Sequence, residues 1–222
     1  MKIRVDAATS VTALFQAPKR PAACFVLAHG AGARMTHPFL AAVANGLSER
    51  GVATVRFQFP AMEAGSRRLD RPPLAHATIR AAVATAREVA PSVPLFAGGK
   101  SFGARMTSQA QAEAPLSGIG GLVFLGFPLH PAKKPATERS DHLAGVAVPM
   151  LFLQGTRDAL AEMPLLAAVV RDLGDRATLV QVDQADHAFH VPARSGRSDA
   201  EVLKGVLDRV RMWMQEVVAR SN

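Results

Sequence analysis

Three short stretches hold residue types able to break an acyl bond. In AGGKSFGARM, Gly99-Lys100-Ser101-Phe102-Gly103 spells G-x-S-x-G, the turn that presents a nucleophilic serine. In LQGTRDAL, Asp158 follows an apolar run; in DQADHAFH, His187 and His190 follow another. A serine hydroxyl is a weak nucleophile until an imidazole takes its proton and a carboxylate orients that imidazole. The order serine, acid, histidine is the one expected when such a serine sits on a strand-to-helix turn.

The same residues, shifted by one register, end in Gly-Lys-Ser, as a phosphate loop does. That loop needs G-x-x-x-x-G-K-[ST], and the first glycine would fall on Pro94. The run from Leu95 to Gly98 reads as a strand and leaves no room for a phosphate cradle. A nucleotide-dependent enzyme is therefore excluded.

Among the acids, Asp158 is preferred because it lies just past a strand end, where functional groups collect in parallel sheets. Its structural alternative is a helix cap. Asp175 falls in a turn after a helix and Asp183 directly ends the next strand, so both are weaker candidates. His187 is preferred to His190 because it comes first after the polar turn; His190 could be a loop residue or a substrate contact. Two backbone donors are needed for an oxyanion. Phe102 N–H follows from the turn itself. The second is expected at Ala31, in the glycine-rich turn His29-Gly30-Ala31-Gly32, with His29 as a structural hydrogen-bonding residue. Lys100, Arg34 and Arg105 could draw an anionic substrate toward Ser101, or could equally be solvated charges.

These groups need a frame. Apolar runs predict central strands at Cys24–Ala28, Val52–Phe57, Leu95–Gly98, Gly121–Gly126, Met150–Gln154 and Thr178–Val182, apolar on both faces as in a covered parallel sheet. Lys2–Val5 and Val11–Gln16 read as antiparallel edge strands. Helical patterns lie between them: Pro38 to Leu47, Leu74 to Ala90, Ala104 to Ala110 and Pro164 to Leu173. A last helix is opened by the capping box Ser198-Asp199-Ala200-Glu201, and Trp213 lies on its apolar stripe. The alternation predicts a mostly parallel sheet with helices on both faces, and a single domain over residues 1–222. The interval FPLHPAKKPATERSDHLAGVAV is too short for a large cap. It implies an open site with Phe127, Pro128 and Leu129 on its apolar side, and with the loop Phe57–Arg71 and the turn at Pro72 as further walls.

Composition removes other classes. The net charge of +8 could signal nucleic acid, but the basic residues are scattered apart from Arg67-Arg68 to Arg71 and Lys133-Lys134. Aromatics make up 5% with no tyrosine, so little is available to stack on bases. No apolar run approaches a membrane span. The single cysteine, Cys24, sits in a strand as a small hydrophobe. No His/Cys/Asp cluster has metal-ligand spacing. The expectation is a cytoplasmic protein without cofactor or metal, acting on a small molecule.

The segments LAHGAGARMTHPFL, AGGKSFGARM, LQGTRDAL and DHAFHVPARSG together resemble the α/β-hydrolase superfamily, and within it the dienelactone-hydrolase-like group. They are also similar to small bacterial proteins related to the hydrolase-like subunit of a chromatin acetyltransferase complex. The resemblance implies the α/β-hydrolase fold without a large cap domain. It also implies Ser101 as nucleophile, Asp158 as acid and His187 as base, acting on a carboxylic ester or thioester. Dienelactone enzymes carry cysteine at the turn; with serine here, their substrate does not carry over. The scaffold-like relatives leave a non-catalytic binding protein on the same fold as the alternative.

Overall fold

The computed structural model describes residues 1–66 and 68–221, so Arg67 of the basic cluster lies outside the described residues. Eight strands form one sheet: β1 (Lys2–Arg4), β2 (Ser10–Gln16), β3 (Ala23–Ala28), β4 (Val52–Phe57), β5 (Leu95–Lys100), β6 (Ile119–Leu125), β7 (Met150–Gly155) and β8 (Ala177–Val182). Their spatial order is β1-β2-β4-β3-β5-β6-β7-β8. The pairs β1–β2 and β2–β4 are antiparallel, and from β4 to β8 every neighbour is parallel.

Side chains alternate between the faces of a strand, so a run that is apolar throughout must be covered twice. In β3, Cys24, Val26 and Ala28 enter one core while Phe25 and Leu27 enter the other. The first core is closed by α3 (Pro72–Val89), α4 (Phe102–Glu113) and α5 (Met163–Asp172), through Ile79, Val83, Met106 and Leu166. The second is closed by α1 (Pro38–Glu49) and α6 (Asp199–Ser221), which contribute Leu40, Val43, Val206 and Val210. In α1 (Pro38–Glu49), proline opens the helix and His37 caps it, its Nδ1 accepting from Phe39 N–H at 3.2 Å. In α6 (Asp199–Ser221) the capping box is formed: Glu201 N–H donates to Ser198 Oγ (3.2 Å) and Ser198 N–H to Glu201 Oε2 (2.8 Å). Trp213 packs on Phe96 of β5, 5.8 Å between ring centres.

Strand boundaries follow the expected runs to within two residues. Two strands differ by that much: β6 begins at Ile119, and β5 goes on pairing with β6 through Gly99 and Lys100 to the residue before Ser101. A single turn of helix, α2 (Pro60–Glu63), opens the segment after β4, where the sequence pattern predicts only a loop. Between β6 and β7 the described chain forms only a 3-10 segment, Glu138–Gly145, and no cap.

Phe127 and Leu129 correct an expectation. Both are wholly buried, Phe127 against Phe124 (5.5 Å) and Phe152 (5.7 Å), and neither lines a site wall. Gly126, at φ 73°, turns the chain as β6 ends and sends these side chains into the core.

Candidate active site

Ser101 sits between β5 and α4 at φ 52°, ψ −112°, a conformation that costs a residue with a side chain about 1–3 kcal/mol. The flanking glycines explain how the turn fits. A Cβ on Gly99 would stand 2.3 Å from Ala28 O, and one on Gly103 2.6 Å from the same atom. The strain is held on both sides, by Ser101 N–H to Leu125 O (3.4 Å) and Arg105 N–H to Ser101 O (3.1 Å).

Two loops from the same sheet edge bring polar groups to this serine. His187 Nε2 lies 2.9 Å from Ser101 Oγ, and His187 Nδ1 lies 2.6 Å from Asp158 Oδ2. The Asp158 side chain is fully buried, while about a quarter of the imidazole remains exposed. Asp158 Oδ1 accepts from Leu160 N–H (2.8 Å) and Oδ2 from Gln154 Nε2 (2.5 Å). An ionised carboxylate only accepts, so the proton on this side of the ring belongs to Nδ1. Nε2 is then left to accept from the serine hydroxyl.

Residues that the sequence reading missed hold this line in place. Gln154, the one polar residue of the run Met150-Leu151-Phe152-Leu153-Gln154, is fully buried; its Oε1 accepts from Phe127 N–H at 2.8 Å. It thus ties the β6 exit to Asp158. A lone amide ending an apolar strand was the available signal. Asp186 organises the next loop, its Oδ1 accepting from Ala188 N–H (2.7 Å) and His190 N–H (3.0 Å). Gly126 lies against both Lys100 and His187: a Cβ there would be 2.8 Å from Lys100 Nζ and 3.4 Å from the imidazole.

The other candidates lie elsewhere. His190 is exposed and pairs with Asp199 (2.8 Å), which draws its pKa upward. Asp175 belongs to the 3-10 turn Gly174–Arg176 before β8, at the opposite end of the strands from Ser101. Asp183 is exposed after β8 and contacts Gln184. His29 is buried with both ring nitrogens used: Nδ1 contacts Gly30 O (2.8 Å), and Nε2 accepts from Phe59 N–H (3.0 Å). Burial pushes its pKa down and favours the neutral ring.

Ala31 and Phe102 flank the serine from two elements. Ala31 shares a cavity wall with Ser101, and Phe102 is the first residue of α4, where a helix N–H has no partner within the helix. The Ala31 loop is clamped further along: Met35 N–H donates to Gln58 Oε1 (2.7 Å), and Met35 O accepts from Arg56 (3.3 Å).

The cavity beside Ser101 measures about 340 Å³. Ala31, Phe39, Leu40, Leu160 and Ala188 give it an apolar wall, with His187 and Lys100 beside the serine. These walls come from the β3–α1 loop, α1 and the loops after β7 and β8, not from the segment before α3 or the turn at Pro72. A larger hollow of about 460 Å³ between β8 and α6 lies away from Ser101, so chemistry rather than size selects the first. Arg34 is exposed and Arg105 feels Arg139; neither lines this cavity. Lys100 lines it, but its ammonium donates to His187 O at 2.5 Å. Cys24 is buried in β3, its thiol pushed up to about 12 by desolvation. Among the described residues no group of three or more His, Cys, Asp or Glu could hold a metal, and no helix is long and apolar enough to cross a membrane.

The α/β hydrolase domain model matches residues 21–215. Among solved structures, the chain is similar to a lidless α/β serine hydrolase from Xanthomonas campestris, at 23% identity over 96% of this chain and 93% of that one, TM-score 0.75. A dienelactone hydrolase from Anabaena variabilis aligns at 19% identity over 97% and 95%, TM-score 0.76. Est1E from Butyrivibrio proteoclasticus, solved with ferulic acid bound, aligns at 18% identity over 99% of both chains, TM-score 0.75. At these identities the structural likeness establishes the fold.

Proposed function

The chain belongs to the α/β hydrolase domain family, and from that premise we propose that it is a serine hydrolase of carboxylic esters or thioesters. The observation that carries this reading is the continuous line Ser101 Oγ, His187, Asp158, at 2.9 and 2.6 Å, assembled from three separate loops. Ser101 attacks the carbonyl carbon while His187 Nε2 takes its proton. Asp158 holds Nδ1–H and stabilises the imidazolium that forms. The N–H groups of Phe102 and Ala31 receive the oxyanion, and the amino end of α4 favours negative charge there. The imidazolium then protonates the departing alcohol or thiol. Water, deprotonated by His187, releases the acid from Ser101.

The apolar cavity takes the acyl group. The ferulic acid held by Est1E makes aryl-acyl esters the first panel to screen, beside short alkyl esters and thioesters. No cofactor is required by this sequence of steps. The eight strands share one sheet, which supports reading residues 1–222 as a single domain.

Labelling with a fluorophosphonate followed by peptide mapping tests the reading. Adduct on Ser101, absent in Ser101→Ala, is the expected result, with ester turnover falling by several orders of magnitude in that variant. A folded wild-type protein that takes no label would overturn it and favour a non-catalytic binding protein on the same fold.

A further inference from the structure

Lys100 directly precedes the serine, yet its side chain belongs to the base. It leaves the end of β5, and its Nζ donates to the backbone oxygen of His187 itself at 2.5 Å. The serine segment and the histidine are therefore joined twice: once through Oγ and Nε2, and once from the Lys100 side chain to the His187 main chain. The Phe189 ring lies 5.6 Å from Nζ on the far side of the loop, with Phe189 held at φ 64°. Gly126 closes the space beneath, where even a Cβ would be 2.8 Å from Nζ. Its hydrogen bond and its ring contact are both with the loop that carries the imidazole.

We infer that Lys100 is a positioning residue: its ammonium pins the main chain of His187 and so holds the imidazole between Ser101 and Asp158. The inference rests on the reading of Ser101 and His187 given above. The charged or titratable groups near this ammonium are Asp158 from the loop after β7 and Asp186 and His187 from the loop after β8, and His37 lines the same cavity. Burial drives the lysine pKa down, and the two aspartates oppose that shift, leaving it at about 8. Near neutrality the group is a cation. A Cβ on Gly126 would stand 2.8 Å from Nζ and 3.4 Å from the ring, so ammonium and imidazole pack side by side in one crowded corner.

The test uses fluorophosphonate inactivation of the full chain, measured as maximal rate and half-saturating concentration. Wild type, Lys100→Met and Lys100→Arg are compared. The expected result for Lys100→Met is a maximal rate lower by about 10-fold or more, with the half-saturating concentration within about twofold, as for loss of transition-state alignment. Lys100→Arg keeps a charged donor for the His187 carbonyl and recovers the rate to within about threefold of wild type. It also guards against misreading a poorly folded Lys100→Met. Equal rates in all three proteins would overturn the inference. So would a rate as low in Lys100→Arg as in Lys100→Met, or a half-saturating concentration raised in step with the lost rate, either of which would assign the lysine to packing alone. A wild-type protein that does not react at all refutes the nucleophile reading instead, and is seen before any variant is compared.

Discussion

Replacing Gln154 with methionine removes both ends of one buried bridge while keeping the length of the side chain. In the wild type, Nε2 donates to Asp158 Oδ2 at 2.5 Å and Oε1 accepts from Phe127 N–H at 2.8 Å, with no exposure of the residue. The variant leaves a buried N–H without an acceptor and a buried carboxylate without one donor. Each orphaned group costs about 1–3 kcal/mol, and the apolar methionine returns part of that, so a net loss of about 2–3 kcal/mol is expected. For a chain of this size, 1 kcal/mol moves the melting temperature by about 2–4 °C, which puts the drop at about 4–12 °C. Asp158 also loses one of the contacts that aim it at His187, and the fluorophosphonate rate should fall about 10-fold. Thermal melts and labelling kinetics on the same samples give both numbers. Gln154→Glu adds a sharper control. Two carboxyls at that distance must share a proton, so its deficit relative to wild type should deepen as pH rises. A methionine variant with unchanged melting temperature and unchanged labelling would refute the claim that this bridge holds the acid.

Two other outcomes follow from the same corner of the molecule. Gly126→Ala puts a Cβ 2.8 Å from Lys100 Nζ and 3.4 Å from the imidazole, at φ 73°; it should destabilise by about 1–2 kcal/mol through the left-handed backbone. Its labelling rate should fall by more than that strain explains, and a wild-type rate would show that His187 has slack the packing denies. Lys100 sits at about 8 when folded against an ordinary lysine near 10.5, so the unfolded chain binds more protons between those values and stability rises with pH there. The gain is about 2–3 kcal/mol after allowance for partial exposure, it is absent below pH 8, and urea melts of Lys100→Met should show that slope flattened.

Much of this protein is written locally. The runs at Cys24, Val52, Leu95 and Met150 are apolar at every position, and a strand of that kind is stable only with cover on both faces. The turn at Ser101 is equally local, because the glycines two before and two after it answer the approach of Ala28 on the adjoining strand. The capping box at Ser198 and the stripe through Trp213 fix the last helix in the same way. What sequence spacing could not supply was the set of partners meeting across the ends of different strands. Lys100 reads equally as a charge for a substrate or as a solvated one, and its ammonium binds a carbonyl 87 residues away. Phe127 looked like a cavity wall, but the turn at Gly126 drops it into the core and leaves its N–H to Gln154, 27 residues on. His187 and His190 are three residues apart in one polar loop, and only the path of that loop sends the first to Ser101 and the second to Asp199. Periodicity and turn chemistry are decided by neighbours along the chain; hydrogen-bond partners at a sheet edge are decided by where each strand stops, and that depends on packing of the whole.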